Sequence, residues 1–199
     1  MKCSFIRLPA VIAIVAIVVV GILPISAAFS LFPKASGKPV IHDTIVPKIA
    51  LEKTVIKDMN VVYISDTANT TEDIHDVLGG GYVELIHFIQ ANKLQPVKFI
   101  AWYYAMQPPW PVDVAVETNR EPTQLSGRIK FRKVPRGEVI IAHTYGPYGQ
   151  VGQAYMQIEK WLKENNRKAK SAPFEVYVND PDLVKSPEEI QTDVYQPVE

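Results

Sequence analysis

Three kinds of hydrophobic pattern divide the chain. From Leu8 to Pro33 no residue is charged, and Ala10 to Leu23 is almost wholly Ala, Val, Ile and Leu. At about 1.5 Å per helical residue such a run covers a bilayer core of about 30 Å, and it predicts a membrane span. Further on, short β-branched and aromatic runs predict strands: Asn60–Ser65, Pro96–Ala101, Val112–Val116, Glu138–His143, Pro173–Val178 and Ile190–Tyr195. Between them, apolar residues recur at helical spacing in Tyr82–Ile89 and Tyr155–Leu162.

These elements repeat. Each half reads strand, helix, strand, strand, with Tyr82, Leu85 and Ile89 matching Tyr155, Ile158 and Leu162, and with Asn92 and Asn165 closing the helices at corresponding positions. A helix buries its apolar stripe only against a partner face. Two such units therefore merge most simply into one antiparallel sheet with both helices on one face, an α+β domain, each helix also shielding its neighbour's stripe. The alternating Gly127–Val134 predicts an additional strand joining the halves, and Ile49–Val55 an edge strand at the end of a linker. Gly79-Gly80-Gly81 stands just before the first predicted helix. It reads as a flexible joint or a weak first turn, since no P-loop lysine follows to make it a phosphate cradle.

The expected layout is a span over 1–33, a linker over 34–54 and one domain over 55–199. A secretory signal peptide competes for the first segment, because Ser26-Ala27-Ala28 offers small residues near a cleavage point; the apolar run is longer than the usual 7–15 residues and favours an uncleaved anchor. Lys2 and Arg7 before the run and Lys34 and Lys38 after it leave orientation nearly balanced, and the basic start places the domain on the non-cytoplasmic side of the cell membrane. With 21 basic against 21 acidic residues, no nucleic-acid surface is signalled. Cys3 is the only cysteine, which excludes an internal disulfide, a cysteine metal cage and a thiol nucleophile in the domain. His42, His75, His87 and His143 lack zinc spacing and read as structural or solvated, and there is no Gly-x-Ser-x-Gly elbow. No metal and no cofactor are expected.

The second half resembles the GyrI-like small-molecule-binding domain, the effector domain of AraC-type and MerR-type regulators, which is related in fold to the SOUL haem-binding proteins. The resemblance lies in His143-Thr144-Tyr145-Gly146-Pro147-Tyr148, in Ala154-Tyr155 with Trp161-Leu162, in Pro173–Pro181 and in Glu188–Val198, and covers about residues 55 to 199. It implies a cleft between the halves, lined by aromatic rings, with a glutamate on the strand after the second helix meeting cationic or polar groups of a ligand. Glu175 stands at that position. A carboxylate in an apolar cleft is costly to desolvate unless paired, so it favours an incoming cation or donor, and aromatic rings add cation–π attraction.

Strand alternation sorts the neighbours. Glu175, Tyr177 and Asn179 share one face; on the other proline-led strand Lys98, Ile100, Trp102 and Tyr104 share one. If the two faces converge, Tyr177, Trp102 and Tyr104 surround Glu175, and Lys98, its match in the repeat, either pairs with it or leaves it to a ligand. Tyr145 and Tyr148 flank a Gly-Pro turn and complete the candidate ligand set. Tyr155 and Trp161 read as core, and Trp110 as either cleft lining or core cap.

Three functions stay open: a membrane-anchored binding module for small amphipathic or cationic molecules; a non-catalytic subunit or scaffold of a membrane complex, offering its Gln107–Pro111 loop and its C-terminal tail to a partner; and a hydrolase of reactive small molecules, as some GyrI-like proteins are, with Glu175 as base. The apolar run occupies the place where the regulators carry a DNA-binding domain, which argues against transcriptional control.

Overall fold

The computed structural model describes residues 48–199; the expected span over 1–33 and most of the expected linker lie outside the described residues. Among the described residues no helix is long and apolar enough to cross a membrane. In chain order the elements are β1 (Lys48–Ile56), β2 (Met59–Ala68), α1 (Thr71–Ala91), β3 (Pro96–Tyr103), β4 (Trp110–Thr118), β5 (Lys130–Val134), β6 (Gly137–Tyr145), α2 (Gly152–Glu164), β7 (Phe174–Tyr177) and β8 (Gln191–Pro197). The repeat is present as β2-α1-β3-β4 and β6-α2-β7-β8. All strand pairs are antiparallel, in the order β1-β6-β8-β7-β3-β4-β2-β5, and the halves meet where β7 pairs with β3. β5 does not join the halves as expected. It pairs with β2 at the far edge, while β1 takes the opposite edge on β6.

That order forces curvature. In a flat sheet β1 and β2 would stand six strand spacings apart, about 29 Å. They are linked by Lys57 and Asp58 alone, which reach about 11 Å. Pro135 and Arg136 link β5 to β6 under the same constraint. The sheet therefore curls, and its inner face packs Met59 and Val61 of β2 in one cluster with Val139 and Ile141 of β6. Trp102, Phe174 and Tyr195 stack through this interior with ring centroids 4.6 Å and 5.1 Å apart.

Both helices lie on the outer face. α1 buries Leu85, Phe88 and Ile89 against Val62, Ile64, Val114 and Val116, and α2 buries Ala154 and Ile158 against Ile140, Ala142 and Val194. The two stripes are thus buried in separate clusters on separate halves of the sheet and do not shield each other. A cleft lies between them over β7 and β3. Asn92 and Asn165 close the helices as expected, each Nδ2 donating to a carbonyl one turn back, Phe88 O and Trp161 O.

The start of α1 differs from expectation. Thr70 and Asp73 form a reciprocal capping box, so the helix begins at Thr71 and runs through all three glycines. Gly81 has a packing reason: a Cβ there would come within 2.9 Å of Val114. The apolar side chains of Ile74, Val77 and Leu78, two of them touching the α1 core cluster, extend the helical stripe across the glycine-poor propensity.

Candidate functional site

A cavity of about 580 Å³ occupies the cleft. Its floor is set by sheet register. Ala101 stands opposite Glu175, and Phe99 opposite Tyr177, so Glu175 and Tyr177 point to the outer face together with Tyr103. The Glu175 carboxylate accepts a hydrogen bond on each oxygen, from Tyr155 Oη at 2.9 Å and from Tyr177 Oη at 3.1 Å. The Tyr103 and Tyr177 hydroxyls lie 3.5 Å apart, and the Tyr148 and Tyr82 rings meet the Tyr177 ring edge-on at 5.8 Å and 6.4 Å. Tyr82 Oη donates to the Ile100 carbonyl at 2.9 Å, which locks α1 to the sheet beside the cleft.

Among the described residues no lysine, arginine or histidine forms an ion pair with Glu175. Burial among the rings raises its pKa above the ordinary carboxylate value, and the two phenol hydrogen bonds offset only part of that. The same burial, with the carboxylate nearby, lifts the Tyr155, Tyr103 and Tyr177 phenols well above their usual value and Tyr148 to about 12. All of them remain hydrogen-bond donors through the physiological range. The cleft is an apolar, aromatic chamber with one carboxylate held by neutral groups. Among the described residues no cluster of side chains suits a metal ion.

Four of the six candidates from the sequence line this cavity: Glu175, Tyr177, Tyr148 and Tyr104. Tyr104 stands at the rim, half exposed, with its hydroxyl turned away to Asp113 at 2.7 Å. Trp102 is on the opposite face, stacked on Phe174 and covered by the Arg132 guanidinium at 4.1 Å. Tyr145 is exposed at the end of β6 and stays outside the cavity. Lys98 also faces inward, paired with Glu117 at 2.8 Å rather than with Glu175.

One residue explains the misplaced face. The β3–β7 pairing is symmetric about Ile100 and Val176, which makes Phe99, not Lys98, the counterpart of Glu175. A bulge between Pro96 and Lys98 inserts the extra residue, so alignment on the leading prolines selects the wrong alternation. Tyr103 was missed for that reason. Tyr155 reads as core because it lies on the α2 stripe; a phenol on an apolar stripe is itself the signal, since a buried hydroxyl needs a partner. His75 and Trp110 also line the cavity. His143 is structural, held between Asp193 and Glu52.

A curled sheet with an aromatic cleft between two helices and a carboxylate at its floor defines a class of small-molecule-binding domain. The chain belongs to the GyrI-like family: the model of the GyrI-like small molecule binding domain matches residues 51–199. No curated protein matches it. Among solved structures it is similar to EcmrR in a DNA complex, at 18% identity and a TM-score of 0.65 over 77% of this chain. The match spans 58% of that EcmrR chain, and 99% of the EcmrR C-terminal domain solved alone, at 18% identity and a TM-score of 0.60 over 78% of this chain. A hydrolase from Listeria innocua shares 11% identity and a TM-score of 0.52 over 75% of this chain and 91% of its own. At such identities the likeness concerns the fold.

Proposed function

We propose that this chain is a membrane-tethered binding module that holds small amphipathic or cationic molecules in the aromatic cleft, with Glu175 as counter-ion. The observation that carries the reading is the pairing of Glu175 with phenols alone. A carboxylate set among rings and lacking a cation of its own gains most from a ligand that brings one. The tether is proposed from the apolar run Leu8–Pro33.

Fluorescence titration of the full chain in detergent with lipophilic cations tests the reading through the tyrosines and Trp110 around the cavity. Saturable binding is expected, at least about tenfold weaker in Glu175→Gln, a difference of about 1.4 kcal/mol. Equal affinity in that variant would remove the carboxylate as the recognition group. A second reading, hydrolysis of an electrophilic ligand with Glu175 as general base, draws on its raised pKa and on the tyrosines beside it. Turnover of activated esters that persists in Glu175→Gln would eliminate it.

A further inference from the structure

Two of the three glycines inside α1 have no packing reason to be there. A Cβ at Gly79 or Gly80 would meet nothing within 4 Å, in contrast to Gly81. Proline apart, glycine is the residue a helix interior tolerates worst, so an adjacent pair without a steric demand calls for another explanation.

The pair falls at a boundary within α1. Every buried residue of the helix lies at Gly81 or beyond: Gly81, Tyr82, Leu85, Ile86, Phe88 and Ile89. None lies before it. Val77 and Leu78 touch the core cluster but stay partly exposed, while Ile74, His75 and Leu78 face the cavity. The flanks of this segment are tied down, because Arg128 reaches Asp66 on β2 at 2.8 Å and Glu84 in the second half of α1 at 2.9 Å. Among the described residues the segment between them, Thr71–Leu78, forms no ion pair. Its own helical integrity comes from the Thr70–Asp73 capping box. A capped, two-turn piece of helix is therefore joined through two unencumbered glycines to a helix anchored in the core.

We infer that the Gly79-Gly80 joint makes Thr71–Leu78 an adjustable wall of the cavity, and that these two glycines set the range of ligand sizes the cleft admits. The inference rests on the binding role proposed above. The opposite wall has no such freedom, since α2 is pinned through Ala154 and Ile158 and through the Tyr155 to Glu175 hydrogen bond. Substituting both glycines by alanine stiffens the joint without any clash, whereas Gly81→Ala would drive a methyl into Val114.

Two measurements on the full chain in detergent test this. Hydrogen exchange without ligand should show amides of residues 75–78 exchanging at least about tenfold faster than those of 82–91. The double variant Gly79→Ala/Gly80→Ala should slow exchange at 75–78 and raise Tm, and an unchanged exchange rate there would overturn the inference. Titration with tetraethyl-, tetrabutyl- and tetrahexylammonium should then find wild type and variant within about twofold for the best-fitting ion, and the variant weaker by about tenfold for the largest. Equal exchange in the two halves of α1, or affinities that change in parallel across the series, would overturn the inference while leaving the binding role intact. Absence of binding by the wild type to every ion, with the exchange contrast still present, would overturn the binding role and the size-setting with it.

Discussion

The inner and outer faces of the curled sheet treat their acids in opposite ways. Inside, Asp113 and Asp193 are both 6% exposed, and each has a basic partner: Arg132 at 3.0 Å and His143 Nδ1 at 3.0 Å. Arg132 is in turn sandwiched between the Tyr63 and Trp102 rings at 4.3 Å and 4.1 Å. Outside, Glu175 has aromatic neighbours too, but they are phenols, and its side of the sheet opens into the cavity. The difference teaches that aromatic surroundings alone do not make a site. Where the rings clamp an arginine onto the acid, the charge is closed off inside the protein; where they supply only hydroxyls, the acid has no countercharge among the described residues.

The largest effect that tests this contrast should come from Arg132→Ala, which strands Asp113 without its cation. A loss of about 2–4 kcal/mol is expected in urea unfolding, below the range for a fully buried pair because Arg132 keeps some solvent contact. Loss under about 0.5 kcal/mol would mean that the inner acid is not held by its partner.

Glu175→Gln should behave in the reverse manner, weakening a cationic ligand by about 1.5–3 kcal/mol while leaving stability at neutral pH equal or higher. The sign follows from the raised pKa. The folded state keeps the Glu175 proton to higher pH than the unfolded chain, so its contribution to stability is fully present below about pH 4 and declines as pH rises through the raised value. Unfolding curves of Glu175→Gln across pH 4 to 8 should lack that decline.

Tyr155→Phe removes one of the two donors to Glu175 and should weaken cation binding by about 1 kcal/mol, as calorimetry would read it. A gain in affinity would show that the phenol competes with the ligand for the carboxylate. The smallest effect belongs to His143. Burial by itself lowers its pKa, but Asp193 and Glu52 on its two ring nitrogens outweigh that, and the net shift is upward. Its stabilising contribution is therefore complete below about pH 6.5 and fades as pH rises through the raised value. His143→Gln should flatten the stability profile there by about 0.5 kcal/mol, and a profile that keeps its slope would assign the titration to another group.

The repeat, the strand runs, the two helix closures at Asn92 and Asn165 and the α+β class were legible because each depends on neighbours within a few positions: β-branched and aromatic content for strands, helical spacing for the stripes, a side-chain amide one turn from the carbonyl it caps. The position of Glu175 was also readable, through its likeness to a family. What surrounds it was not. A single bulge at Pro96 to Lys98 reverses which face of β3 meets the cleft, replacing Lys98 and Trp102 with Ala101 and Tyr103, and alternation has no memory of an inserted residue.

The chain's own pattern thus determined the elements and their order, and its likeness to a family the residue at the floor of the cleft. Only the tertiary structure decided that β5 pairs at the far edge, and that Tyr155, packed against the α2 core cluster as its stripe suggests, also reaches Glu175. The physical reason is common to both. Each depends on a contact between residues distant in the chain, and such contacts follow from sheet register and curvature, which two-residue links and one bulge control while adding nothing to the local pattern of hydrophobic and polar positions.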